Sequence, residues 1–240
     1  IPWIEGLTYQ ATYSKSSRKT ERAQFEDKET NIGRRVNGTG FRSFARTDDA
    51  LLDNIVRYER TFANKHSVNT TLLYTWGESF SENQRSSATD FSNDILGQFA
   101  LENGSSQTVN TGSSESVNIG YMARISYTYD DRYVATGTFR RDAFSAFSKN
   151  KKWGEFPSVA VKWNISNENF MKDVNFIDNL GIRASRGRNG NQALSPFSTL
   201  ARVGTGEFLF NGDNSFTTTQ AITRFATNNL GWEKTKATNV

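Results

Sequence analysis

The sequence predicts an all-β, antiparallel, up-and-down architecture. Three observations carry that prediction: a composition rich in aromatics but poor in aliphatics, apolar residues spaced two apart in several segments, and connections that alternate between long and short. Hydrophobic residues make up 35% of the 240 residues and aromatics 13%, against the roughly 45–50% apolar content of an ordinary domain. With 29 Lys+Arg against 25 Asp+Glu the net charge is only +4, so charge imposes neither a polyanionic nor a strongly polycationic role. The absence of cysteine removes disulfides, thiolate zinc sites and cysteine nucleophiles. No apolar run approaches the roughly 18 residues of a membrane helix or forms the core of a signal peptide. The chain opens on Ile1-Pro2-Trp3 without an initiator Met, which reads as a fragment or a processed form.

Strands are read in order from period-two patterning. Leu7, Tyr9, Ala11 and Tyr13 alternate with polar residues, and a weaker strand spans Leu52 to Phe62 before a turn at Ala63-Asn64-Lys65. Val68, Thr70, Leu72, Tyr74 and Trp76 then form one face of a third strand. The clearest segment runs from Val117 to Tyr129: Val117, Ile119, Tyr121, Ala123, Ile125, Tyr127 and Tyr129 share one face, and Asn118, Gly120, Met122, Arg124, Ser126 and Thr128 the other. Asp130-Asp131 signals a tight turn into a Thr-rich strand from Tyr133 to Arg140. Val159 to Ile165 and Leu180 to Ala184 alternate likewise, and a last strand opens near Trp232. Seven or eight strands result. Their connections run long (14–51), short (63–66), long (80–115), short (130–132), medium (141–155), medium (166–178) and long (188–230). In a meander every second connection lies at one end, so one end carries large loops and the other tight turns, as in outer-membrane barrels.

Arg124 fixes the register of the apolar face. Pointing into lipid at mid-membrane it costs roughly 2–4 kcal/mol, and a one-residue slip exposes the whole polar set. Periodicity alone leaves open a membrane barrel, with Tyr127, Tyr129 and Tyr133 as an aromatic girdle at the short-turn end, or a soluble β-sandwich or carbohydrate-binding module whose odd residues form a core. A small complete outer-membrane barrel, acting as a pore or adhesin, is a third reading; its first and last strands, Leu7–Tyr13 and the Trp232 region, must then pair.

Ordered motifs narrow the choice. Asp131-Arg132-Tyr133, Arg140-Arg141-Asp142, a short Ser/Phe-rich loop, then Trp153-Gly154 and Phe156-Pro157-Ser158 follow one another at short intervals. Downstream come Gly190-Asn191-Gln192 at a strand end and Leu230-Gly231-Trp232-Glu233. This series resembles the barrel of the SusC/RagA-like TonB-linked outer-membrane proteins, closely over Tyr121–Gln192 and Asn229–Thr235 and more thinly over Gly6–Phe80. The resemblance implies that residues 1–240 form about 7–8 strands of a larger transmembrane barrel of about 22 strands, with long extracellular loops. The plug, the N-terminal extension and the remaining strands are then absent from this sequence. It implies import of oligosaccharides or peptides across the outer membrane, a SusD-like surface lipoprotein over the mouth, and energy coupling to TonB through the absent N-terminal region. The sequence departs from the family pattern at Arg186 and Arg188, where a Tyr and a less polar residue are expected, at Ala143-Phe144 (Gly-Ser) and at Thr227-Asn228 (Asn-Pro). These positions are expected at strand ends or in loops, with a bearing on ligand preference.

Enzyme chemistry finds no constellation, and no cofactor is expected. His66 is the single histidine and sits beside a turn, so no HExxH zinc site exists. Asp48-Asp49 and Asp130-Asp131 are read as turn residues, and Gly38-Thr39-Gly40 and Gly204-Thr205-Gly206 as loop glycines without a phosphate-binding pattern. The Asn-x-Ser/Thr sequons at Asn37, Asn69, Asn103 and Asn164 are read as chance in an Asn- and Thr-rich chain. Asn211-Gly212-Asp213-Asn214 lacks the ligand series of a calcium loop. The cluster Arg140, Arg141, Lys149, Lys151 and Lys152 is too local for nucleic acid and is placed at the outer rim, against lipopolysaccharide phosphates or a partner. There Phe144, Phe147 and Trp153 are candidates for stacking on ligand. Inward Arg124, Arg140 and Arg183 are candidates for lining a polar lumen. Phe41, Phe44, Phe91, Phe99, Phe197, Phe208, Phe210, Phe216 and Phe225 are assigned to long loops, where they pack against one another.

Overall fold

The computed structural model describes residues 3–174, 176–209 and 216–240. Ten strands form: β1 (Leu7–Glu26), β2 (Thr39–Phe62), β3 (His66–Phe91), β4 (Gly104–Tyr129), β5 (Tyr133–Phe144), β6 (Trp153–Asn164), β7 (Gly181–Asn191), β8 (Arg202–Leu209), β9 (Phe216–Arg224) and β10 (Glu233–Asn239). Eight of them make one sheet in the order β1-β2-β3-β4-β5-β6-β7-β10, and β8-β9 make a separate hairpin. The sheet is therefore a meander. In this order β1 and β10 are the two outermost strands; among the described residues no ladder joins them, which removes the small complete barrel.

Contacts divide the chain into two units, one of residues 1–12, 52–76 and 117–240, the other of 13–51 and 77–116. In the first unit the tight turns fall where turn chemistry puts them. Ala63 and Asn64 take positive φ (48° and 55°), as do Asp130 and Asp131 (51° and 52°), the backbone that a two-residue hairpin turn requires. The turns close through Lys65 N–H donating to Phe62 O (3.1 Å) and Arg132 N–H to Tyr129 O (2.9 Å).

Register separates two faces, because directly opposed residues share a side. Tyr129, Tyr133, Trp163 and Ile182 are opposed in succession across β4 to β7, as are Tyr127, Ala135, Val161 and Ala184. This face is apolar and uncovered: Val159 is 64% exposed, Val161 58%, Ile182 55% and Tyr121 49%. A sandwich would bury these side chains, so its reading fails. Aromatic rings run along the face at two levels. Near the tight turns His66, Tyr129, Tyr133 and Trp163 follow one another at centroid distances of 5.1, 6.5 and 6.4 Å. At the other end Tyr74, Tyr121 and Trp153 do so at 5.3 and 6.1 Å. Two aromatic belts bounding an apolar band are the outer surface of a membrane barrel.

The second unit consists of the extensions of β1 to β4 and the turns that join them. Its small centre is Phe91, with Ala88 and Ala100; the Phe25 ring meets Phe91 edge-on at 5.1 Å. Asp90 takes positive φ (61°) and accepts hydrogen bonds from Asn37 Nδ2 (2.7 Å) and the Ser105 hydroxyl.

Several expectations need correction. Residues 14–26, 39–51, 80–91 and 104–115 are strand rather than loop, because both faces of these extensions are polar and carry no apolar period. Asp48-Asp49 lies inside β2, and Asp48 holds Arg46 Nε at 2.7 Å; it is not a turn. Gly204-Thr205-Gly206 lies in β8, Phe41 and Phe44 in β2, Phe91 at the end of β3 and Phe208 in β8. Phe216 begins β9. Arg186 and Arg188 stand within β7 rather than at its end, whereas Ala143-Phe144 lies at a strand end as expected, closing β5. Phe210 and the Asn211–Asn214 stretch lie outside the described residues.

Candidate functional site

The opposite face of the first unit is polar. Thr128, Val134, Lys162 and Arg183 are opposed across β4 to β7, then Ser126, Thr136, Ala160 and Ser185, then Arg124, Thr138, Ser158 and Gly187. Ser126 and Thr136 hydroxyls bond at 3.0 Å. All three sequence-selected arginines lie on this face, at three separate levels. Arg183 stands directly opposite Lys162, a like-charge pair that is unfavourable without an anion between. Among the described residues no carboxylate pairs with Arg124, Arg183 or Lys162.

Arg140 differs. Two residues on, Asp142 points to the same side, and Arg140 Nε donates to both of its carboxylate oxygens at 3.0 and 2.8 Å. Gly120 is directly opposite Asp142, and a Cβ there would stand 2.7 Å from Asp142 Oδ1, so the carboxylate lies across bare backbone. A cleft of about 390 Å³ opens beside the pair, lined by Thr75, Asn118, Arg140, Asp142, Asn191 and Trp232. It presents one cation, one anion, amides, a hydroxyl and an indole. Such a lining offers hydrogen-bond donors and acceptors of both charges, and among these lining residues no nucleophile stands beside a base.

The rim is built by packing. Phe144 and Phe147 are 5% and 2% exposed and meet edge-on at 5.3 Å. Trp232 closes on Phe147 at 5.1 Å and on Phe156 at 5.2 Å, while its indole N–H donates to Lys152 O at 2.9 Å. A side chain at Gly154 would strike Phe156 and Trp232. Ser148 ties the 145–152 loop to the segment before β10: its hydroxyl donates to Thr227 O and accepts from Leu230 N–H, both at 3.1 Å. Phe144 and Phe147 thus have no open ring face for a ligand. Trp153 is exposed, but on the apolar side, with the Arg141 guanidinium 4.7 Å from its ring. The sequence reading missed Asp142 and Trp232 as members of the site. Asp142 shares the parity of Arg140 but falls beyond the strand end read at Arg140, since β5 runs on to Phe144.

At the tight-turn end Glu168 gathers the 165–180 connection. It accepts from the Tyr133 hydroxyl at 2.6 Å, Trp163 Nε1 at 3.0 Å and Arg132 Nη1 at 3.3 Å. These donors hold its carboxyl below the usual glutamate range, the Tyr133 hydrogen bond contributing most, followed by that from Trp163.

No family model matches the chain. The "TonB-dependent receptor P39" of Formosa agariphila is 33% identical over 238 residues, covering 98% of this chain and 22% of the receptor. The "TonB-dependent receptor SusC" of Bacteroides thetaiotaomicron is 37% identical over 123 residues, 49% of this chain and 12% of that protein. Among solved structures the RagAB peptide transporter superposes with a TM-score of 0.82 at 19% identity, over 97% of this chain and 26% of that one. The chain spans about a fifth of the length of the receptor it matches from end to end.

Proposed function

Because the chain belongs to the SusC/RagA-like TonB-dependent receptors, β-barrel proteins of the bacterial outer membrane, we propose that it forms part of the wall of an importer for oligosaccharides or peptides. The plug, the N-terminal extension and the other strands belong to the rest of the protein. A SusD-like lipoprotein covers the mouth, and TonB supplies the energy through the N-terminal region. The wall itself does no covalent chemistry: its apolar face holds the lipid, and its polar face lines the passage. The observation that carries this reading is the polar face of β4 to β7, where the Arg140–Asp142 pair borders a cleft and Arg124, Lys162 and Arg183 lack carboxylate partners among the described residues. Acidic groups of a plug or a ligand complete such a surface.

The test is uptake by the full-length receptor with its partner, in cells lacking their own copy, using labelled oligosaccharide and peptide pools. R140Q/D142N and R124Q/R183Q are expected to reach the membrane at normal abundance and to lose uptake several-fold. Normal uptake of every pool by both variants counts against the polar face as the passage.

A further inference from the structure

The apolar band does not end at one hydrogen-bonded level. On β4 the outward apolar residues continue from Tyr129 past Tyr121 to Ile119 and Val117. On β5 they are interrupted after Phe139 by Arg141, and on β6 after the directly opposed Pro157 by Glu155, with Ala143 and Trp153 standing beyond that charged row. On β7 they stop already at Ala184: the next outward residue, Arg186, stands opposite Val159. Arg188 follows, and Lys236 of β10 stands directly opposite it. Beyond the other end of β7 the trend reverses, with exposed Leu180 and Phe176 preceding the strand. Strands of outer-membrane barrels tilt by roughly 35–45°, so a flat hydrocarbon slab cuts the hydrogen-bonded rows obliquely. Uninterrupted apolar runs that reach Val117 on β4, the shared Phe139–Pro157 row on β5 and β6, and only Ala184 on β7 follow that oblique cut. Arg186, Arg188 and Lys236 then lie at headgroup level on the side of the long loops, where the cost of an outward cation falls toward zero.

We propose that Arg186, Arg188 and Lys236 form a binding site for the phosphate groups of an anionic lipid, the phosphorylated glycolipid of the outer leaflet. The three cations have no carboxylate partner among the described residues, whereas Arg141, another outward cation, has Glu155 at 3.9 Å. Like charges directly opposite one another, as Arg188 and Lys236 are, call for an anion between them. Two guanidinium groups suit phosphate, which they grip through paired N–H donors, and the lysine adds a point charge. A cleft of about 320 Å³ lies here, walled by Pro157, Val159, Arg186, Arg188 and Lys236. An apolar floor under a cationic edge matches an amphiphile, with acyl chain below and phosphate above. The departures from the family pattern at Arg186 and Arg188 thus act on the lipid side rather than on ligand preference.

The test purifies the full-length receptor from outer membranes, exchanges detergent, and measures retained phosphorylated glycolipid by mass spectrometry. R186Q/R188Q/K236Q is expected to retain several-fold less than the wild type, while K65Q/K172Q, which removes two charges at the tight-turn end, retains as much. Wild-type receptor in nanodiscs of phosphatidylcholine doped with bis-phosphorylated lipid A is expected to enrich that lipid at its surface. With the dephosphorylated analogue no enrichment is expected, and millimolar inorganic phosphate is not expected to displace the bound lipid. Undiminished retention by the triple variant, or equal enrichment of the dephosphorylated lipid, overturns the proposal. Displacement by inorganic phosphate overturns the lipid as the source of the phosphate. The nanodisc comparison needs no variant and so decides the matter even if the triple variant fails to insert.

Discussion

The Tyr133 hydroxyl donates to Glu168 Oε1 at 2.6 Å, and this bond fastens the first residue of β5 to the connection between β6 and β7. Trp163 and Arg132 donate to the same carboxylate, so one buried acid organises the tight-turn end of three strands. Because the folded-state pKa of Glu168 is lowered, its contribution is complete above the ordinary glutamate pKa, near 4.3, and is lost as pH falls through the lower folded-state value. Thermal unfolding of the full-length receptor is expected to show a wild-type advantage over Glu168→Gln at pH 7 that narrows below about pH 4. An advantage that stays constant down to pH 3 would contradict the assignment.

A second expectation concerns the other tight turn. Ala63 takes φ 48°, a conformation that burdens any residue with a Cβ by about 1–2 kcal/mol, whereas glycine adopts it freely at some entropic cost. Ala63→Gly is expected to stabilise the β2–β3 hairpin by about 0.5–1 kcal/mol, read as a higher unfolding midpoint. Asn64→Val, which puts a β-branched residue at φ 55°, is expected to lower it.

What the sequence made legible follows from where the environment differs across a strand. Between Val117 and Tyr129 one side meets an apolar medium and the other a polar one, so the period is plain and the faces of β4 come out right. Asp130-Asp131 is legible because few other residues tolerate that backbone. The extensions of β1 to β4 are wet on both sides: Ser81 and Ser114 hydroxyls bond at 2.8 Å, and such stretches carry no period and read as loop. The Phe144–Phe147–Trp232 cluster joins segments about 80 positions apart, and Glu168 sits in an irregular connection. Neither leaves a local pattern. Arg140 was legible as an inward cation, but its partner Asp142 required knowing that β5 runs on past Arg140.

The rim cluster gives a prediction that separates packing from ligand contact. Phe147, at 2% exposure, is enclosed by Phe144 and Trp232, so Phe147→Ala is expected to cost about 3–5 kcal/mol and to reduce folded receptor at the surface. Trp153→Ala removes an exposed ring and is expected to cost about 1 kcal/mol or less. Limited proteolysis distinguishes the two: cleavage within 145–152 is expected in Phe147→Ala and not in Trp153→Ala.

The assignment of faces is tested most directly by placing one charge on either side of one strand. Val161 points outward between Ala135 and Ala184, while its neighbour Ala160 points to the polar side between Thr136 and Ser185. If the outward side meets hydrocarbon, Val161→Arg is expected to destabilise the full-length barrel by about 2–4 kcal/mol in lipid. Ala160→Arg joins a polar wall, and its guanidinium stays hydrated, so a change below about 1 kcal/mol is expected. Equilibrium unfolding in liposomes gives both values, and the fraction that migrates as folded barrel without boiling checks insertion. Because the two substitutions share strand, depth and added charge, only the medium they face differs. A penalty for Ala160→Arg that equals or exceeds that for Val161→Arg would reverse the inside and outside of the sheet.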